Sequence, residues 1–119
     1  MAKAKRLFVP LMTEYFEDFL HNGKRYELRR NAGPWTEKNV YEGRPVMIGK
    51  GYSGPRAYGV VGEVVVGKLE DILRKTGHRA ILPRVGTRKE AIMHIDEFFE
   101  GCRQYIAFEV LLNRKYLKK

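Results

Sequence analysis

Apolar positions along the chain fall into short blocks whose spacing alternates between a helical and an extended period. Tyr15, Phe16, Phe19 and Leu20 recur at helical spacing and predict a helix from about Glu14 to His21 with that stripe buried. Thr13 is placed to cap it, and Glu14, Glu17 and Asp18 lie near its positive end. Asn22-Gly23 supplies the stop, because glycine takes the left-handed conformation cheaply. Period 2 follows at once. Over Arg25–Arg30, Tyr26 and Leu28 point one way while Arg25, Glu27 and Arg29 point the other. The expectation is a strand that buries two side chains and displays an Arg-Glu-Arg ladder on its opposite face.

The remaining blocks continue this alternation. A short apolar strand is expected over Arg6–Val9, and another over Val46–Gly49 after the turn Glu42-Gly43-Arg44-Pro45. Ala57–Val66 reads as a long strand, with Gly59 and Gly62 marking bulges or barrel corners. Leu69 to about Lys75 reads as a helix burying Leu69, Ile72 and Leu73, stopped by Gly77. Residues 78–87 form an irregular connection. Thr87 then caps a helix with the stripe Ala91, Ile92, Ile95, Phe98 and Phe99, closed by Gly101. Gln104–Leu112 is the final strand. Irregularly spaced strands with three short helices inserted indicate an α+β fold around a small β-barrel.

At 119 residues the chain reads as one domain over 1–119, large enough for a single core without staples. Its 44% hydrophobic and 31% charged residues fit an ordered globule. No apolar run approaches the roughly 18 residues of a membrane-spanning helix, so no membrane partner is expected. Leu7–Met12 is too short for the apolar core of a signal peptide, and Cys102 is the sole cysteine. A cytoplasmic location is the expectation.

Charge changes the picture most. A net +9 suggests a polyanionic partner, since a basic surface gains affinity by releasing counterions from phosphates. Between Lys24 and Arg56 there are eight basic residues against three acidic ones, so over half of the excess lies in this segment. The C-terminal run from Arg114 to Lys119 reads instead as a frayed, solvated tail.

Few stretches carry recognisable chemistry. Gly49-x-Gly51-x-x-Gly54 matches the dinucleotide glycine pattern literally, but Pro55 and a strand follow it where a helix is required. It reads as a hairpin loop in which Lys50, Tyr52, Ser53 and Arg56 offer cations, hydrogen-bond donors and one stacking ring to a nucleic acid. His21, His78 and His94 lack partners at ligand intervals, so neither a metal nor a cofactor is expected. His94 reads as part of a solvated helix face, and Cys102 as an inert structural thiol. Trp35, among Gly and Pro beside the basic strand, suits either a core position or a stacking platform.

Lys24-x-x-Glu27-x-Arg29, on a strand directly after a helix that ends in glycine, resembles the Gly-x-Lys-x-x-Glu-x-Arg signature of the ASCH domains in the PUA-like superfamily. Asn22 stands at the signature's first position, with the glycine displaced to Gly23. The resemblance implies a small PUA-like barrel with a cleft suited to RNA or a nucleotide-like ligand. Arg29 can fork onto a phosphate or a base edge, Lys24 adds a point charge, and Glu27 can orient Arg29 or accept from a base amine. Lys24, Arg25, Glu27, Arg29, Arg30, Trp35, Lys50, Tyr52, Ser53 and Arg56 are therefore the candidate binding residues. They define a basic cleft between the 24–30 strand and the 50–56 loop. Some ASCH-like proteins are similar to acetylcytidine amidohydrolases, which use a Lys, a Thr and a Glu. Here Glu27 occupies the place of the nucleophilic threonine, which leaves Lys24 as the retained base. A ribonuclease, in which Lys24 or Lys50 stabilises charge and Glu27 or Tyr52 moves a proton, is the other hydrolase reading. A module that meets an acidic protein partner through its basic face is a further alternative.

Overall fold

A computed structural model describes residues 5–114; Lys115–Lys119 of the basic tail lie outside the described residues. The elements run β1 (Leu7–Leu11), α1 (Thr13–His21), β2 (Tyr26–Arg30), β3 (Pro45–Lys50), β4 (Arg56–Gly67), α2 (Leu69–Thr76), a 3₁₀ turn (His78–Ala80), α3 (Arg88–Phe98) and β5 (Tyr105–Leu112). The strands form one mixed sheet in the order β1-β3-β4-β5-β2, parallel between β1 and β3 and antiparallel elsewhere. It curls into a half-barrel, so the architecture is α+β with a small PUA-like barrel. Among the described residues no helix is long and apolar enough to cross a membrane.

Two apolar clusters hold the sheet. The first fills the barrel with Val9, Val46, Ile48, Ala57, Val61, Ile106 and Phe108, and α1 plugs it with Phe16 and Phe19. The second packs Tyr26, Leu28, Val65, Tyr105 and Ala107 against Leu69, Ile72 and Leu73 of α2 and Ala91 and Ile95 of α3. Strands β2 and β5 are therefore covered on both faces. Glu27 lies directly across from Phe108 and Arg29 across from Ile106, so both share the barrel face. This corrects the expectation of a displayed Arg-Glu-Arg ladder: Glu27 is buried and Arg29 half-buried, with Arg25 the member left exposed. Alternation places Glu27 and Arg29 on one face as expected, but the curled sheet encloses that face, and Arg25, one residue before β2, does not share it.

Local chemistry accounts for the element ends. Thr87 accepts from the Glu90 backbone N–H while the Glu90 carboxylate takes the Thr87 N–H, a complete capping box at the start of α3. Thr13, expected as a cap, is instead the first residue of α1. Extended Met12 holds the capping position with no side-chain hydrogen bond, because β1 continues through Leu11. At the other end Gly23 has φ +82° and the N–H groups of Asn22 and Lys24 both reach the Asp18 carbonyl, which delivers the chain into β2. Phe98, expected in the buried stripe of α3, is 56% exposed, while Ile95 and Phe99 on either side of it keep to the second cluster.

The long strand β4 slips register between Val61 and Val64 where it pairs with β5. The Glu63 N–H released by that bulge donates to Glu109 Oε1 at 3.1 Å, over a Gly62 that has no side chain to obstruct the carboxylate. Gly59 is more tightly held. A Cβ there would run into the Leu111 carbonyl oxygen and lie 2.9 Å from Leu112 Cα. Gly59→Ala is expected to destabilise the protein by about 1–3 kcal/mol through overpacking. The loss should be read as a lower urea midpoint at unchanged m-value, and a midpoint equal to wild type would count against this close approach.

Candidate functional site

Beneath the open seam between β1 and β2 lies a cleft of about 520 Å³. Helix α1 contributes Tyr15, α3 contributes His94, Ile95 and Phe98, the 78–87 connection contributes Ile81 and Leu82, and the 50–56 loop contributes Gly51 and Tyr52. Its floor is the start of β2, with Lys24, Glu27 and Arg29.

Lys24 is the least ordinary of these. Its side chain is 3% exposed, its Nζ donates to the Ile81 carbonyl at 2.6 Å, and Glu27 Oε1 lies 3.6 Å away. The Phe19 and Tyr15 rings close round the ammonium at 5.2 and 5.7 Å from their centroids. Burial pushes the Lys24 pKa below the ordinary lysine value, and the charges of Glu27 and Asp18 oppose that shift in part. Asp18 is itself buried at the end of α1. Burial alone would raise its pKa, but hydrogen bonds from Arg84 and Asn22 outweigh it and hold the carboxyl below its usual value. The Arg84 fork, with Nε 2.9 Å from Oδ1 and Nη2 3.0 Å from Oδ2, thus ties the segment carrying Ile81 to the helix before Lys24.

Arg29 performs a different task. Its Nε donates to Glu27 Oε2 at 2.6 Å and its Nη2 to the Pro10 carbonyl on β1 at 2.8 Å. The guanidinium lies 4.5 Å over the Trp35 ring, which in turn stacks on Phe108 with centroids 5.9 Å apart and planes at 9°. Strands β1 and β2 are the two edges of the sheet, so Arg29 spans the gap where the barrel fails to close. Proline is tolerated on such an edge because it owes the ladder no donor.

Of the residues expected to bind, Lys24, Glu27, Arg29 and Tyr52 line this cleft. Arg25 faces away from it, 4.0 Å from Glu109, and Arg30 lies over Phe99 and donates to the Glu100 carbonyl. Trp35 stands behind Arg29, between the two roles expected of it: half-buried against the core while supporting a guanidinium. Lys50 is paired with Glu17 at 3.1 Å. Arg56 donates to the Tyr52 carbonyl and lies over Phe8, while Ser53 is exposed on the loop.

Three lining groups escape a reading of the sequence. Tyr15, counted in a core stripe, puts its hydroxyl 3.3 Å from His94 Nε2 across the mouth, and burial raises its pKa. The lone hydroxyl in a stripe of Phe and Leu is the available signal. His94 is exposed as expected, but it is exposed at the cleft. Ile81 acts through its backbone carbonyl, for which a sequence carries no mark.

No family model matches the sequence, and no curated protein matches it. Solved structures do. The hypothetical protein PH0355 superposes with a TM-score of 0.75 at 18% identity, over 92% of this chain and 100% of its own. Protein PF0455 from Pyrococcus furiosus gives 0.65 at 19% identity, over 91% and 97%. The ASCH protein from Zymomonas mobilis gives 0.57 at 17% identity, over 89% of this chain but 65% of its own length. At such identities the likeness speaks for architecture, and over its described length this chain has the fold of the ASCH domains.

Proposed function

We propose that the chain is a nucleic-acid-binding module, for single-stranded RNA, whose cleft takes up one unstacked base. The observation that carries this reading is the Lys24–Glu27–Arg29 set, two of its members buried and Arg29 half-buried, at the floor of a largely apolar cleft with an aromatic rim. Small-ligand sites are typically apolar concavities of about 300–1,000 Å³ with a few fixed polar groups, and this one has those proportions. Glu27 offers a carboxylate to a base amine, and Lys24 and Arg29 offer donors to its carbonyls. Tyr52, 77% exposed at the rim, and Phe98 present faces on which a base can stack. The expected result is submicromolar to micromolar binding of labelled single-stranded RNA that weakens steeply with salt. Tyr52→Ala should lower affinity about 5-fold or more, as expected when one base no longer stacks, and Arg29→Ala should lower it further. Affinity indifferent to Tyr52→Ala, Lys24→Ala and Arg29→Ala would remove the cleft from the binding site.

A hydrolase on the same cleft is the second reading, favoured by the depressed pKa of Lys24, which makes its amine more available as a base. Glu27 occupies the position of the amidohydrolase threonine, so this reading leans toward ribonuclease chemistry. Incubating labelled RNA, and separately acetylated cytidine, at high protein concentration tests it; absence of turnover on both returns the cleft to binding alone.

A further inference from the structure

On the reverse of the cleft's wall lies a second concavity of about 560 Å³, open to solvent. The wall consists of two segments, 22–25 and 78–81, joined by the Arg25 N–H to the Ala80 carbonyl at 2.7 Å. Successive residues of each segment serve opposite sides. Lys24 and Ile81 line the cleft, while Arg25 and Ala80 line the groove.

The groove gathers cations with little to balance them. Arg25, Arg79 and His78 line it, and no carboxylate does. Arg79 has no hydrogen-bond or ion-pair partner among the described residues, and Arg25, 60% exposed, meets its nearest carboxylate, Glu109, at 4.0 Å. Two carbonyls at and just beyond the end of α2, which would otherwise disfavour an anion here, are occupied. Leu73 O accepts from the Gly77 N–H, and Gly77 O accepts from the Ala80 N–H and from Thr76 Oγ1. His78 Nε2 is buried without a partner, so the imidazole in the groove's wall is not committed to a structural hydrogen bond. Like charges brought together beside an open concavity repel each other until an anion joins them.

We propose that this groove is a phosphate site, which holds the sugar-phosphate backbone of a nucleic acid strand next to the nucleotide seated in the cleft. The proposal rests on the nucleic-acid reading above for its macromolecular partner, but the phosphate chemistry stands on Arg25 and Arg79 alone. A strand that crosses the wall at Lys24–Arg25 places one residue in the cleft and its neighbour's phosphate over the two arginines.

Two measurements on the full chain test this. In the first, inorganic phosphate is titrated while backbone amide shifts are followed. The shifts of Arg25 and Gly77–Ala80 should saturate in wild type and stay flat in Arg25→Ala/Arg79→Ala. Flat wild-type shifts would overturn the site. In the second, affinity for an eight-nucleotide single-stranded RNA is measured against salt concentration. The double variant, altered at two exposed side chains, should bind about 10-fold more weakly, and its log K against log salt slope should flatten by about 0.7 for each phosphate that is no longer neutralised. A wild-type slope in the double variant, with binding still sensitive to Tyr52→Ala, would reject the groove and leave the cleft reading standing. A flattened slope with binding indifferent to Tyr52, Lys24 and Arg29 would reject the cleft and keep the groove. If the RNA fails to bind while the phosphate titration saturates, the groove holds free phosphate and its extension to nucleic acid is wrong.

Discussion

Glu27→Leu should destabilise the protein by about 3–5 kcal/mol, whereas Lys24→Met/Glu27→Leu should recover most of that loss. Both side chains are buried, with the ammonium held between the Ile81 carbonyl and the carboxylate. Removing the carboxylate alone strands a buried ammonium and deprives Arg29 of its shortest hydrogen bond. Replacing both charges by apolar groups of similar shape removes the stranded charge, although the Ile81 carbonyl loses its donor. Arg29 keeps the Pro10 carbonyl and the Trp35 ring in either variant. Urea titrations of wild type, the two single variants and the double variant form a cycle that isolates the pair. A double variant no more stable than Glu27→Leu would show that the Lys24–Glu27 ion pair is not what holds the floor together. If the double variant is stable yet no longer binds RNA, the charges are retained for recognition at a cost in stability.

Phe108→Ala should be comparably damaging, at about 3–5 kcal/mol, because it empties a fully buried position in the middle of the barrel. The position has a second dependent. Trp35 rests on Phe108 and Arg29 rests on Trp35, so the cavity undermines the residue that spans the barrel's open seam. Trp35 is the sole tryptophan, and its emission should shift to the red as the stack loosens. RNA affinity should fall in the same variant at temperatures where it remains folded. Phe108→Leu keeps most of the volume and should lose clearly less stability. An unchanged Trp35 spectrum in Phe108→Ala would separate the core from the site.

What can be read in advance divides along the distance over which each feature is determined. The start of α3 at Thr87, the stop at Gly23 and the bulge at Gly62 depend on residues within a few positions of each other, and all are legible in the chain. The Gly49–Gly54 loop is likewise recognisable as no nucleotide-binding turn, and β4 rather than a helix follows it. Lys24, Glu27 and Arg29 stand out as residue types at a suggestive spacing. Their environment does not, because it is built by Ile81, Phe108 and Pro10, which reach β2 from three distant parts of the chain. For the same reason two members of a ladder expected in solvent, Glu27 and Arg29, prove to belong to an enclosed ion cluster with Lys24. The neighbouring cations read as one basic patch, when Lys24 and Arg25, in the segment leading into β2, go to opposite sides of a wall. A high local density of charge shows that ions are present; the direction of each depends on the pleat and on what covers it.

The position of β2 at the sheet's edge also sets the order in which the molecule can assemble. Its hydrogen-bonded neighbour is β5, with Tyr26 opposite Glu109 and Arg30 opposite Tyr105. The β3–β4 hairpin closes over a short loop, but β2 must wait for the last strand before its backbone is paired. Until then the segment carrying Lys24, Glu27 and Arg29 is an unpaired strand whose charges discourage it from joining the edge of another molecule. On a chain emerging from the ribosome, the floor of the cleft is completed only when β5 has been made. A nascent chain lacking β5 therefore cannot hold Lys24, Glu27 and Arg29 in the arrangement that the proposed RNA site requires.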